Sequence, residues 1–350
     1  MKKLTLLAVL LSTLLWLPAS EAAVVWFAGM ETGSVDGERF TTGGNCTTTT
    51  TSRSGAYSLD AGGNRSCGSP AGLALTTAYL RMYINVSFSG SSNQTVLKGR
   101  SSAAVEQLQL RIDQSTKLLN YTYAGGAVLA TGTIPLVAST WYLIEIKFVN
   151  AAGTGGMEVK LDNVVQFSDF TRTTNTTGTI DHIQFGQYSA TLLVDDILLS
   201  NSGYPGPGRS IARQGTAGSP TYDAWTKNSC SGGTIDNCWS ATPVSTAANA
   251  SSSTPTDAQT MLVHSFATTQ SGHGTEVLAS GDTINACRTV ISAKAAAGSQ
   301  LYIRRRLGGV DTDTLVNLSG SDVYYADALW TDTFTNLNAA EIGAVQNSGP

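Results

Sequence analysis

From Trp141 to Leu199 apolar and polar residues alternate almost without a break. In Trp141–Val149, Tyr142, Ile144, Ile146 and Phe148 fall on one side, with Glu145 and Lys147 on the other. Met157–Leu161 repeats the alternation, Asp162-Asn163 turns the chain into Val164–Phe167, His182–Gly186 follows, and Leu192–Leu199 closes the run. A period of two bounded by Gly, Asn, Asp and Thr predicts half-buried antiparallel strands. Upstream, Val24–Gly33 reads as an apolar strand followed by a polar turn, Tyr79–Phe88 and Leu108–Asp113 carry the same alternation, and Lys117–Tyr123 extends the meander. The stretch 103–119 resembles a helix in composition, but Leu108, Leu110 and Ile112 repeat every two residues.

The pattern predicts an all-β chain: an antiparallel sandwich of jelly-roll type over 24–201, a Gly/Pro linker at 202–208, and a second, smaller β-sandwich-like domain over 209–350. In that second half, strands are expected at 260–268, 283–295, 300–307 and 323–328, and Asn338–Gly343 reads as one helical turn. Gly349-Pro350 gives no terminal strand signal, so the second domain is expected to lack a final strand.

Composition changes the picture in three ways. Lys2-Lys3, the apolar stretch Leu4–Leu17 and the small residues around Ala22-Ala23 read as a secretory signal over 1–23, too short for a membrane span. The chain is therefore expected to be secreted or displayed on the cell surface, with no membrane attachment after cleavage. Roughly 325 residues then remain, more than one usual domain. Only 13% of the residues are charged and the net charge is −4, with no basic stripe, which excludes a nucleic-acid partner on electrostatic grounds. The triplet Arg304-Arg305-Arg306 reads as a solvated rim. In an exported chain, Cys46–Cys67 and Cys230–Cys238 are expected to form disulfides, and Cys287, in a β-like run, to be a buried thiol.

Residues 24–200 resemble the concanavalin A-like (laminin G-like) jelly-roll superfamily, of the type seen in phage and bacterial surface proteins. The resemblance rests on Phe27-Ala-Gly-Met-Glu31-Thr-Gly33, Trp141-Tyr142, Glu158-Val-Lys-Leu-Asp162 and Val194-Asp195-Asp196-Ile197. The second half is similar to sandwich domains paired with such modules in phage virion proteins, through Trp225-Thr226, Trp239, Trp330-Thr331 and Leu337–Gly343. The resemblance implies a surface, adhesion or carbohydrate-binding module, with a phage-derived virion or tail component as the alternative; the export signal argues against the latter.

Some sandwiches of this superfamily are glucanases, which align Glu-x-Asp-x-x-Glu on one strand. That motif is missing: Glu145 is followed by Lys147, Glu158 by Lys160, and the adjacent Asp195-Asp196 should point to opposite faces. Three histidines (His182, His264, His273) accompany no nucleophile elbow or zinc helix. The expectation is a non-enzyme. In modules of the resembling kind an acid after the first strand often meets one in the last, so Glu31, Asp195 and Asp196 are candidate ligands for one structural Ca2+, which takes carboxylate and carbonyl oxygens. The competing reading has Asp195 or Asp196 capping backbone amides in a β-bulge, with Glu31 solvated. For a glycan partner, Tyr121 and Tyr123, two apart and flanked by Asn120, are the candidate stacking face, and Tyr188, Tyr204 and Tyr222 stand in loop-like contexts. Trp141 is expected in the core. Another surface or virion protein is the remaining partner class.

Overall fold

The computed structural model describes residues 24–209 apart from 32, 36–37, 39, 41–44, 90–92, 124–125 and 175–177. In the second half it describes 286–293, 299–307, 310–318 and seven further strand segments. Residues 1–23, expected to be a secretory signal, and Cys230, Cys238 and Tyr222 lie outside the described residues.

Fourteen strands build the first half: β1 Val24–Ala28, β2 Thr47–Thr49, β3 Ser58–Asp60, β4 Ser66–Gly68, β5 Thr77–Val86, β6 Asn93–Arg100, β7 Glu106–Asp113, β8 Leu119–Thr122, β9 Val128–Thr131, β10 Trp141–Val149, β11 Gly155–Leu161, β12 Val164–Arg172, β13 His182–Gly186 and β14 Leu192–Ser200. They form two antiparallel sheets. The first has eight strands in the order β12-β11-β10-β5-β14-β3-β2, with β1 beside β14; the second has six, β4-β13-β6-β7-β8-β9. Consecutive strands cross between sheets at β3–β4–β5 and at β12–β13–β14, so the chain closes a sandwich rather than a meander.

The core is what the alternation predicts. Leu80, Met82 and Ile84 of β5 and Ile144, Ile146 and Phe148 of β10 face Leu108, Leu110 and Ile112 of β7 and Ile183 and Phe185 of β13, all fully buried in one cluster. Each such side chain contributes on the order of 1.5–3 kcal/mol of hydrophobic stabilisation. The Cys46–Cys67 disulfide forms as expected. It joins the residue before β2 to β4, and these strands are the edges of the two sheets, so it staples the sandwich shut on one side.

Several aromatic assignments need correction. Tyr121 shares the inner face with Leu119; it is fully buried and stacks on Phe167 across the core, at 6.4 Å between centroids, so it offers no ring to a sugar. The period of two that aligned Tyr121 with Tyr123 places both opposite to Asn120, which points outward. Tyr123 lies just past the end of β8, half-buried. Trp141, expected in the core, is half-buried and sits opposite Asn85 on the outer face of the first sheet. Tyr188 is a core residue whose hydroxyl donates to the Ser87 carbonyl and accepts from the Gln114 amide.

In the second half, Thr260–Val263, Ala340–Asn347, Gln300–Leu307 and Val310–Asn317 form one antiparallel sheet in that spatial order. Ala340–Asn347 is thus a strand paired on both sides, not a helical turn. Pairing with two neighbours overrides the helical preference of Ala-Ala-Glu. Among the described residues of the expected strand 283–295, Val290–Ala293 is a strand, and Cys287 is half-buried rather than buried. Arg304 and Arg306 are not a bare rim: they pair with Asp313 and Asp311 of the neighbouring strand.

Candidate functional site

Two places gather polar side chains: the junction of β1, β14 and the loop 53–56, and the outer face of the six-stranded sheet.

At the junction, the chain leaves β1 through Met30, whose φ of 61° is unusual for a side chain of that size. The turn aims Glu31 inward, where it is 3% exposed. In β14 the register opposite β5 jumps between Asp195, facing Tyr83, and Leu198, facing Arg81. Asp196 takes up this bulge with a φ of 49°. The bulge overturns the expectation that the two aspartates point apart: both are fully buried and both meet the same loop. Asp195 Oδ2 accepts from the backbone N–H of Arg53 at 2.8 Å and of Ser54 at 3.3 Å, and its Oδ1 accepts from the Asp196 N–H at 2.8 Å. Asp196 accepts from the Ser54 hydroxyl at 2.9 Å and pairs with Arg53 Nη1 at 2.8 Å. The Arg53 guanidinium lies 3.7 Å from the centroid of the Tyr83 ring. Asp195 thus caps backbone amides in a bulge, the competing reading of this pair, while Asp196 takes a hydroxyl and a guanidinium. Glu31, however, is not solvated.

Glu31 Oε2 accepts from the Ala56 N–H at 2.9 Å. Gly55, at a φ of +62°, passes so close that a Cβ there would lie 2.0 Å from Glu31 Oε1, which requires glycine. Burial, offset in part by the Ala56 N–H, pushes the Glu31 carboxyl up to about 9; negative charge from Asp195, Glu38 and Asp196 adds to the shift. Burial and then the charge of Asp196 raise Asp195 to about 7. As a metal seat the three acids fit only in part. Asp196 is neutralised by Arg53, and among the described residues no group of three His, Cys, Asp or Glu side chains is placed to hold a metal ion.

The outer face of the eight-stranded sheet is covered by the segment expected to be a linker. Gly and Pro do keep 201–208 free of regular structure, yet it lies across the strands. The Tyr204 hydroxyl donates to Glu158 Oε1 at 2.6 Å, its ring meets Tyr79 edge-on at 5.1 Å, and Lys160 Nζ stands 3.6 Å from its centroid. The Gly206 N–H donates to Glu145 Oε1 at 2.9 Å. Glu145 and Glu158, read as members of a solvated face, are instead buried and half-buried beneath this strap.

The outer face of the six-stranded sheet carries a row of polar side chains running across the strands. Gln184 of β13 stands opposite Lys98 of β6, Lys98 opposite Gln109 of β7, and Gln109 opposite Thr122 of β8. Three interstrand steps of about 4.8 Å make this row about 14 Å long. The row is wired together: Thr122 donates to Gln109 Oε1 at 3.1 Å, and Gln109 and Lys98 both bond the Glu106 carboxylate. A bulge between Gly99 and Arg100 brings Glu106 within reach. Beside the row, Arg100 Nη1 donates to Gln184 Oε1 at 2.9 Å, and Asn120, opposite Arg111, donates to Asn93 Oδ1 at 3.2 Å. Of the candidate sugar-binding residues, only Asn120 reaches this face from within a strand. The sequence contained the signal, since Gln107, Gln109 and Arg111 alternate with the core residues Leu108, Leu110 and Ile112, although no aromatic ring marks the row.

The architecture defines a two-sheet antiparallel β-sandwich. No family model matches the sequence, and no curated protein matches it. Among solved structures the chain is similar to an endo-β-1,4-glucuronan lyase from the fungus Trichoderma reesei, at 10% identity and a TM-score of 0.41, covering 51% of this chain and 96% of that one. It is similar to the cellulose induced protein Cip1 at 19% identity and a TM-score of 0.36, covering 48% and 89%. Trypanosoma rangeli sialidase aligns at 14% identity and a TM-score of 0.34, over 41% of this chain and only 25% of its own length. The expectation of a non-enzyme is corrected by these findings: the similar structures include a lyase and a sialidase. The missing Glu-x-Asp-x-x-Glu strand speaks only against the glucanase arrangement of carboxylates.

Proposed function

We propose that this chain is an exported jelly-roll protein of the concanavalin A-like kind that binds a glycan across the outer face of its six-stranded sheet. The observation that carries this reading is the row Gln184–Lys98–Gln109–Thr122. Amides, an ammonium and a hydroxyl supply both donors and acceptors, which is what a sugar chain rich in hydroxyls requires. The row is held on strands rather than loops, so its spacing is fixed before a ligand arrives. Lys98, Gln109 and Thr122 are themselves buried, so a ligand would meet this face first at the half-buried Gln184, Arg100 and Arg111, with the buried members holding them in place. The Cys46–Cys67 disulfide and the leader at 1–23 support an extracytoplasmic setting. Titration of the purified protein against soluble polysaccharides tests the reading. Binding that weakens on Gln184→Ala supports it; no binding to any glycan sinks it.

For calcium, we propose a narrower site than the sequence suggested. Glu31 and Asp195, with backbone carbonyls of the surrounding loop, would hold the ion, and Asp196 would serve only to anchor Arg53. The support is the shared burial of these carboxylates, whose combined negative field a hard cation would neutralise. Bound calcium would brace the junction of β1 and β14. A melting temperature that chelator lowers and calcium restores in wild type but not in Glu31→Gln would support the site; a chelator-insensitive one would remove it.

A further inference from the structure

We infer that the glycan taken by the six-stranded sheet carries anionic groups, which Arg100 and Arg111 recognise. This rests on the proposed glycan face and goes beyond it by naming the ligand class. Four charged side chains from β6 and β7 reach this face: Lys98, Arg100, Glu106 and Arg111. Lys98 and Glu106 neutralise each other. Asp113 and Asp181, at the strand ends, are engaged elsewhere. Asp113 closes its own turn onto Ser115 and Thr116, and Asp181 accepts from the Gly72 N–H and meets His182. Two guanidinium groups are left over. Arg100 reaches only the neutral amide of Gln184, and Arg111 has no carboxylate at ion-pair distance among the described residues. Both are half-buried, and the Nε of each is buried without an acceptor.

A half-buried guanidinium without a counter-charge is costly, and a sheet face has no reason to hold two of them unless an oxyanion completes them. Guanidinium forks match carboxylate and sulfate oxygens in pairs, with more geometric selectivity than an ammonium. A neutral glucan would satisfy the amide row but leave both charges bare. A polysaccharide bearing carboxylates or sulfate esters satisfies both sets of groups. The shared chemistry is an oxyanion carried on a sugar chain.

The test is a binding titration of the full-length mature protein against polygalacturonate, a sulfated galactan and a neutral xylan of similar length. At least tenfold tighter binding to a charged polymer is expected, falling as salt rises because the contacts are charged. Which of the two polyanions binds better distinguishes carboxylate from sulfate recognition. The paired substitution Arg100→Gln/Arg111→Gln should abolish that preference, so that charged and neutral polymers bind alike. Should that variant fold poorly, Arg100→Lys/Arg111→Lys keeps the charge but not the fork, and should reduce the preference severalfold. Equal binding of charged and neutral polymers, or an unchanged preference in the variants, overturns this inference while leaving the glycan face standing. Absence of binding to all three polymers overturns both.

Discussion

Lys98 stands directly opposite Gln109 across β6 and β7, and both bond the same carboxylate, Glu106, which a β-bulge carries to them. Each member of this trio is satisfied by the others in a setting where water has little access, so each is costly to remove alone. Lys98→Ala should destabilise the protein by about 1–3 kcal/mol, since it strips the half-buried Glu106 carboxylate of its ion pair and empties a buried position. Lys98→Ala combined with Glu106→Gln should recover part of that loss. Urea unfolding of wild type, both single variants and the double variant checks this, and a double variant whose loss equals or exceeds the sum of the two single losses would refute the coupling.

Tyr204 holds the strap over the eight-stranded sheet through Glu158. Burial, and the hydrogen bond to Glu158, raise its phenol well above the ordinary value, so it stays protonated and donates throughout the physiological range. Tyr204→Phe should cost about 1 kcal/mol, a modest figure because the acceptor is half-exposed. Cleavage by a nonspecific protease within 201–208 should become faster. Unaltered cleavage would mean that packing against Tyr79 and Lys160, rather than the hydroxyl, holds the strap.

Glu31 gives the fold a pH dependence with a defined sign. Its carboxyl rises from an ordinary 4.5 to about 9 in the folded protein. The folded state therefore binds this proton more tightly than the unfolded state does. The stabilisation from Glu31 is complete below about pH 4.5 and is lost as pH climbs toward 9. Asp195 acts the same way from 3.8 up to about 7. In chelator, wild type should lose stability relative to Glu31→Gln as pH is raised from 5 to about 9. A pH-independent difference between the two would show that Glu31 does not titrate in this window.

The Cys46–Cys67 bridge spans 21 residues and ties the edge strands of the two sheets. Its removal by Cys46→Ser should cost about 3 kcal/mol in the chain-entropy picture. Reductant should lower the melting temperature of wild type to near that of the variant. A wild-type melting temperature indifferent to reductant would contradict a structural bridge.

Much of the sandwich was legible in the sequence because its strands are half-buried, and half-burial writes itself as a period of two. Leu108, Leu110 and Ile112 announced β7, and the run 141–199 announced five strands of the fourteen. Events that break the period were not legible. The bulge at Asp195-Asp196 places two adjacent side chains on one side, which no alternation rule anticipates. Ala340–Asn347 is helical by local preference and a strand because two neighbours claim its backbone. Tyr204 sits in a Gly/Pro segment whose composition says only that it is irregular, not that it lies on a sheet. The candidate site was half legible: Glu31, Asp195 and Asp196 do converge, but their partners Arg53 and Ser54 come from a loop that no spacing connects to them. Tyr121 was misread because the face a strand turns inward is set by the facing sheet, not by the residue's usefulness to a ligand.

The proposed glycan face stands or falls on one titration: soluble polysaccharide binding to wild type beside Gln184→Ala, a half-buried member of the row, with melting temperatures matched. Saturable binding by wild type, weakened about tenfold or more in the variant, is the predicted result. Wild type that binds no polysaccharide, or a variant that binds as well as wild type, would contradict a ligand site on this sheet.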